Sequence, residues 1–157
     1  MKLLSKIRTF LRLPLFEQMW LIPSFITLGI CVLALKTIPF RRLASCLGVQ
    51  GGSSQKMPSV GPRHERIARG LSRAIRLAAR WTPWESKCLA QALTGRLLLG
   101  LHGVPCAVYF GLARGERRAD LEAHAWVNAG DVRVTGGGGW DRFKPVECFV
   151  SAAPARR

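Results

Sequence analysis

The alternation of apolar and polar positions divides this chain into successive zones. Residues 1–48 are apolar with basic residues interspersed, and they read as a helical segment with breaks near Pro14, Pro23 and Pro39. Residues 49–62 (VQGGSSQKMPSVGP) have the Gly, Ser and Pro content of a linker. Residues 63–103 carry helical periodicity, and 104–150 carry strands and turns. The stretch 63–150 is thus the expected core, and 151–157 is a short tail.

The first core helix is expected from Arg63 to Arg80. At about 100° per residue, Arg66, Arg69, Arg73, Arg76 and Arg80 fall within an arc of about 80°, opposite Ile67, Leu71, Ala74, Ile75 and Ala78. The apolar side faces the core. The arginine side is either a solvated face or a docking stripe for an acidic peptide or lipid phosphates. A second helix follows Thr82-Pro83-Trp84-Glu85, which has the form of a capping box with Pro at the first helical position. Ser86 is a second possible cap. Gly103, with Pro105 beyond it, signals the stop. If Ser86 caps, Cys88 lies in the first turn, where unsatisfied N–H groups favour a thiolate.

Val104 to Leu112 is apolar enough for a central strand. Ala123 to Asn128 and Asp131 to Thr135 flank Ala129-Gly130 and read as a hairpin, with a charged loop at Arg114 to Arg118 before it. Alternation puts His124 and Trp126 on one face. Phe143 to Val150 is a candidate last strand. The fold class is α+β.

Composition narrows the function. The chain has 157 residues, of which 48% are hydrophobic, so a core can form. Lys plus Arg number 24 against 9 Asp plus Glu, a net charge of +15, which points to an anionic partner. Aromatic residues are only 8% and no nucleic-acid motif is present, so nucleic acid is not the expected partner. Five cysteines without a CxxC pair argue against a disulfide framework or structural zinc, and for reduced thiols in the cytoplasm. No metal or other cofactor is expected. Met19 to Leu35 is uncharged and flanked by basic residues. It leads into KTIPFRR rather than a small-residue cleavage site, so it is not read as a cleaved signal. It is either a helix buried against protein or a means of membrane association through residues 19–35.

Nucleophilic cysteine chemistry needs a thiolate, an imidazole to take and return its proton, and a group to orient that imidazole. Cys88 and His124 suit the first two roles. Cys31, Cys46, Cys106 and Cys148 lie in apolar contexts and read as structural. His64 reads as an exposed residue of the arginine helix, and His102 as a helix-end residue whose charge favours the dipole. The GGGG run at 136–139 lacks the Lys-Ser/Thr of a phosphate loop.

Trp84-Glu85-Ser86-Lys87-Cys88-Leu89-Ala90-Gln91-Ala92-Leu93, then Gly103-Val104-Pro105, Ala123-His124-Ala125-Trp126-Val127 and Val134-Thr135-Gly136-Gly137, resemble the B-protein family of lasso-peptide biosynthesis, transglutaminase-like leader peptidases. The resemblance covers roughly residues 63–150. It implies a papain/transglutaminase-like core, in which a nucleophile helix packs on an antiparallel sheet behind an N-terminal helical segment. It implies removal of the leader from a ribosomally made precursor peptide, and an ATP-dependent lasso cyclase as partner. Longer members carry a recognition domain at the N-terminus. Its absence here implies a separate leader-recognition protein.

By this resemblance Cys88 maps to the nucleophile and His124 to the base. The Cys88 N–H and Ser86 become oxyanion donors, and Trp126 a substrate contact or a packed aromatic. The third member departs from the family pattern. An Ala129-Gly130 turn would put His124 opposite Thr135, and position 136 is Gly. Asp131 is roughly 13 Å away along the strand. Asp141, beyond the glycine run, is preferred over Asp131, and a backbone carbonyl or a partner-supplied group is the alternative, in which case the chain works as a dyad. A non-catalytic peptide-binding scaffold with the same fold is the rival reading.

Overall fold

The computed structural model describes residues 13–52, 59–115 and 120–151. The basic start of the N-terminal segment, the middle of the expected linker, most of the charged loop and the tail beyond 151 lie outside the described residues.

Helix α1 (Leu15–Thr37) leads through a short α2 (Phe40–Leu43) and a 3-10 turn (Ala44–Cys46) to strand β1 (Val49–Gln50). Helices α3 (Pro62–Trp81) and α4 (Cys88–Leu101) follow. Then come β2 (Cys106–Arg114), β3 (Leu121–Ala129), β4 (Val132–Arg133), a 3-10 turn (Trp140–Arg142) and β5 (Lys144–Ser151). The sheet is antiparallel in the order β1-β5-β2-β3-β4. The expected last strand therefore inserts between β1 and β2 rather than adding at an edge.

Helices α3 and α4 form a layer on this sheet. α1 packs on α3 and α4, and α4 packs on β3. A single apolar cluster joins Leu28 and Leu47 to Leu71 and Ile75 of α3, Leu98 of α4, and Val108 and Val127 of the sheet. The N-terminal segment is thus part of the core rather than an appendage. At its start, buried Glu17 pairs with Arg73 at 2.7 Å and ties α1 to α3.

Three local expectations are corrected. Pro14 and Pro39 do sit immediately before helices, but α1 runs straight through Pro23. A helix-interior proline costs about 3 kcal/mol. Packing of Leu21, Leu28 and Cys31 against neighbouring helices offsets that penalty. The stretch read as a linker opens with a strand, since Val49 and Gln50 pair with Val150 and Phe149. In the hairpin, Ala129 pairs with Val132 and Asn128 with Arg133, so Gly130 and Asp131 form the turn. Gly130 has φ +54°, which a glycine adopts without strain. The turn is displaced by one residue from Ala129-Gly130, which shifts the strand pairing by two residues and re-aims everything after β4.

Candidate active site

Cys88 is the first residue of α4, one step after Lys87, and no side chain caps the helix. Neither Thr82 nor Ser86 is the cap. Their hydroxyls face each other at 3.0 Å instead, and Thr82 Oγ1 also lies 3.0 Å from Ala79 O, closing the end of α3. Gln91 Nε2 donates to Ser86 O at 2.8 Å, fixing the loop that enters α4. Helix formation so late places Cys88 nearer the helix end than either sequence alternative. The unsatisfied N–H groups and the dipole of a first turn favour negative charge there. The Cys88 side chain is half-buried.

α4 and β3 run side by side, so Cys88 and His124 lie at the same end of their elements, but strand alternation sets His124 on the face of β3 opposite Val127, which is the face that touches α4. A Cβ on Gly95 in mid-α4 would stand 3.0 Å from Thr135 Cγ2 and 3.7 Å from Val127 Cγ2, so helix and strand are in contact there. α4 leads through Val104 into the start of β2, where Ala107 pairs with Asn128. The C-terminal end of α4 therefore lies at the Asn128 end of β3, and the two elements run in the same direction. Cys88 precedes Gly95 by about 10 Å of helix. His124 precedes Val127 by about 10 Å of strand.

His124 and Trp126 share a face, with ring centroids 6.0 Å apart, while Ala125 and Val127 point into the apolar cluster. The imidazole is held from two directions. Phe143 stacks on it at 4.8 Å, and Nε2 lies 2.7 Å from Gly136 O. A carbonyl oxygen only accepts, so Nε2 carries the proton and Nδ1 keeps its lone pair. Thr135, which touches α4 at Gly95, immediately precedes the glycine that holds His124. No hydrogen bond joins Cys88 to His124 among the described residues.

The other candidates are placed as follows. Asp141 lies on the 3-10 turn after the glycine run and makes no hydrogen bond to His124. Its charge acts on Arg133, whose pKa burial lowers and Asp141 raises. Asp131 is exposed in the hairpin turn. Trp126 is buried, stacked on Tyr109 at 5.5 Å and lying over Gly111. Ser86 directs its hydroxyl at Thr82. Sequence reasoning missed Phe143 as the ring beneath the imidazole. The only trace of the Gly136 contact was the run of four glycines.

Cys31, Cys106 and Cys148 are buried, whereas Cys46 is exposed, contrary to expectation. Burial pushes the Cys31 and Cys148 thiols up, and the Cys106 thiol up to about 11. Cys106 thus stays neutral in the folded chain after its unfolded counterpart ionises near 9.0. Its contribution to stability is complete below that pH and is lost as pH rises through the folded value. Urea midpoints that fall between pH 9 and about 11, less steeply in Cys106→Ala, are the expected result. His102 is the C-cap of α4, the helix-end position expected. It packs against Phe16 and Trp20, and burial lowers its pKa. His64 is half-buried.

No curated protein and no solved structure matches the chain. The profile of the Transglutaminase-like superfamily matches residues 34–148, from the last turn of α1 to β5, and so takes in both Cys88 and His124. That superfamily includes cysteine peptidases, which suits a helix-leading cysteine layered on an imidazole-bearing antiparallel sheet. The chain belongs to the transglutaminase-like superfamily.

Proposed function

We propose that this chain is a cytoplasmic cysteine endopeptidase that cuts the leader from a lasso-peptide precursor. A separate recognition protein delivers the leader, and an ATP-dependent cyclase takes the freed core. The observation that carries the reading is the fixed imidazole. With Nε2 on Gly136 O, the Nδ1 lone pair is left to take the Cys88 proton. The sulfur attacks the scissile carbonyl, and the Cys88 N–H helps to hold the oxyanion. His124 then protonates the leaving amine, which is the new N-terminus of the core peptide. A thioester to the leader remains. Water, deprotonated by His124, attacks that thioester, releasing the leader carboxylate and restoring the thiol. Because His124 sits on the face of β3 away from α4, this reading requires a rearrangement that carries the imidazole to the Cys88 side before Nδ1 and the sulfur come into bonding distance.

Charge supports an acidic peptide partner. A hollow of about 290 Å³ between α3 and the β4 edge is lined by Arg69, Arg73, Arg76 and Arg133. One observation favours the scaffold reading: a neutral carbonyl, not a carboxylate, orients His124.

An aldehyde in place of the scissile carbonyl separates the two readings. A leader peptide ending in that aldehyde, presented with the recognition protein, is expected to form a hemithioacetal at Cys88. Intact mass and peptide mapping locate it. Buried Cys31, Cys106 and Cys148 stay unlabelled, and exposed Cys46 is the internal control. Leader binding without an adduct favours the scaffold, and equal labelling of Cys46 removes the case for an activated thiol.

A further inference from the structure

Helix α1 is apolar all round, yet only half of it is covered. Its buried face holds Glu17, Leu21, Ser24, Leu28 and Cys31, and Ser24 Oγ has no hydrogen-bond partner among the described residues. The opposite face carries Leu15, Met19, Ile22, Ile26, Ile30 and Leu33, which are 55% to 77% exposed. At about 100° per residue these six fall within an arc of about 80°, diametrically opposite the buried set. The more polar side of the helix thus faces protein, and its larger aliphatic side faces outward. A helix of this composition requires an apolar environment on both sides.

We propose that this stripe docks on an anionic lipid bilayer, with α1 lying flat in the headgroup region. Charge selects that occupant. Exposed Lys36, Arg41 and Arg42 stand at the C-terminal end of the stripe. In sequence, Lys2, Lys6, Arg8 and Arg12 precede its N-terminal end. Anionic headgroups complement both ends at once while acyl chains receive the stripe. The helix is long and apolar enough to cross a membrane. Its other face, however, is committed to α3 and α4, where Arg73 pairs with Glu17. Crossing would carry that ion pair and the arginine ridge into hydrocarbon. A flat orientation leaves both in water.

The inference does not rest on the peptidase reading. The test is co-sedimentation of the full chain with vesicles of phosphatidylcholine mixed with phosphatidylglycerol. The chain is expected to bind these, and to bind pure phosphatidylcholine at least about tenfold more weakly. Combining Ile22→Asp, Ile26→Asp and Ile30→Asp is expected to lower binding at least about tenfold, with the circular dichroism spectrum unchanged because the positions are exposed. A second variant, Lys36→Gln with Arg41→Gln and Arg42→Gln, retains the stripe and loses the preference for anionic vesicles. Wild-type binding by the aspartate variant overturns the proposal. So does a chain that ignores vesicles and self-associates through the stripe, or one that covers it with the cyclase.

Discussion

Replacing Cys88 with Ala is expected to abolish leader removal, with kcat/KM falling by roughly 10^4-fold or more while the leader still binds. No neighbour can substitute for the sulfur. Cys31, Cys106 and Cys148 are buried, and Cys46 is exposed on a different element. Ser86 lies two residues before Cys88, but its hydroxyl is engaged with Thr82. His124→Ala is expected to cost a similar factor, because it removes both the acceptor for the thiol proton and the donor to the leaving amine. The double variant should lose little more than either single one, since two groups that serve one proton transfer act as a unit. Mass-spectrometric timing of leader release, with leader affinity measured on the same variants, checks this. Cleavage that survives Cys88→Ala places the chemistry in a partner and makes this chain the scaffold. Weakened affinity in place of slowed release assigns Cys88 to binding.

Much of the architecture was legible because it follows from periodicity. The arginine ridge and its apolar counterface forecast α3 to within a residue or two. The hairpin was visible in the alternation around His124, and alternation alone put His124 and Trp126 on one face. What escaped was set by competing local choices. Thr82 has two uses for its hydroxyl, as a helix cap or as a clasp on the preceding helix, and the second prevails. The turn could take Ala129-Gly130 or Gly130-Asp131. Moving the turn by one residue shifts the pairing by two and decides which backbone carbonyl reaches His124 Nε2. Side-chain patterns do not specify a carbonyl's position, so a search among carboxylates turned to Asp141. The N-terminal helix was ambiguous for a related reason. Apolar content on all sides says that a helix needs cover, and only the packed structure says which side the protein supplies.

The Gly136 contact yields the sharpest stability prediction. Gly136 has φ +106°, a conformation that strains any L side chain. A Cβ there would stand 2.4 Å from Trp126 Cβ, and 3.4 Å from both Trp126 Cα and His124 Nε2. Backbone atoms and a buried indole cannot yield as a flexible side chain would, so Gly136→Ala combines backbone strain with overpacking. Each is worth about 1–3 kcal/mol, and a total loss of about 3 kcal/mol in urea unfolding is expected. Gly137→Ala is the control. It has φ +60° but nothing within 4 Å, so only the backbone cost of about 1 kcal/mol applies. The two variants should also separate in catalysis. Displacing the Gly136 carbonyl frees Nε2, and the imidazole then partitions between tautomers, which nitrogen chemical shifts of His124 report. Equal stability of the two alanine variants, or an unchanged His124 tautomer in Gly136→Ala, would remove the carbonyl from its assigned role. The same geometry explains why a carboxylate cannot be restored at this position. Gly136→Asp carries the same Cβ into Trp126, so it is expected to unfold the hairpin edge before it can supply a charge to His124.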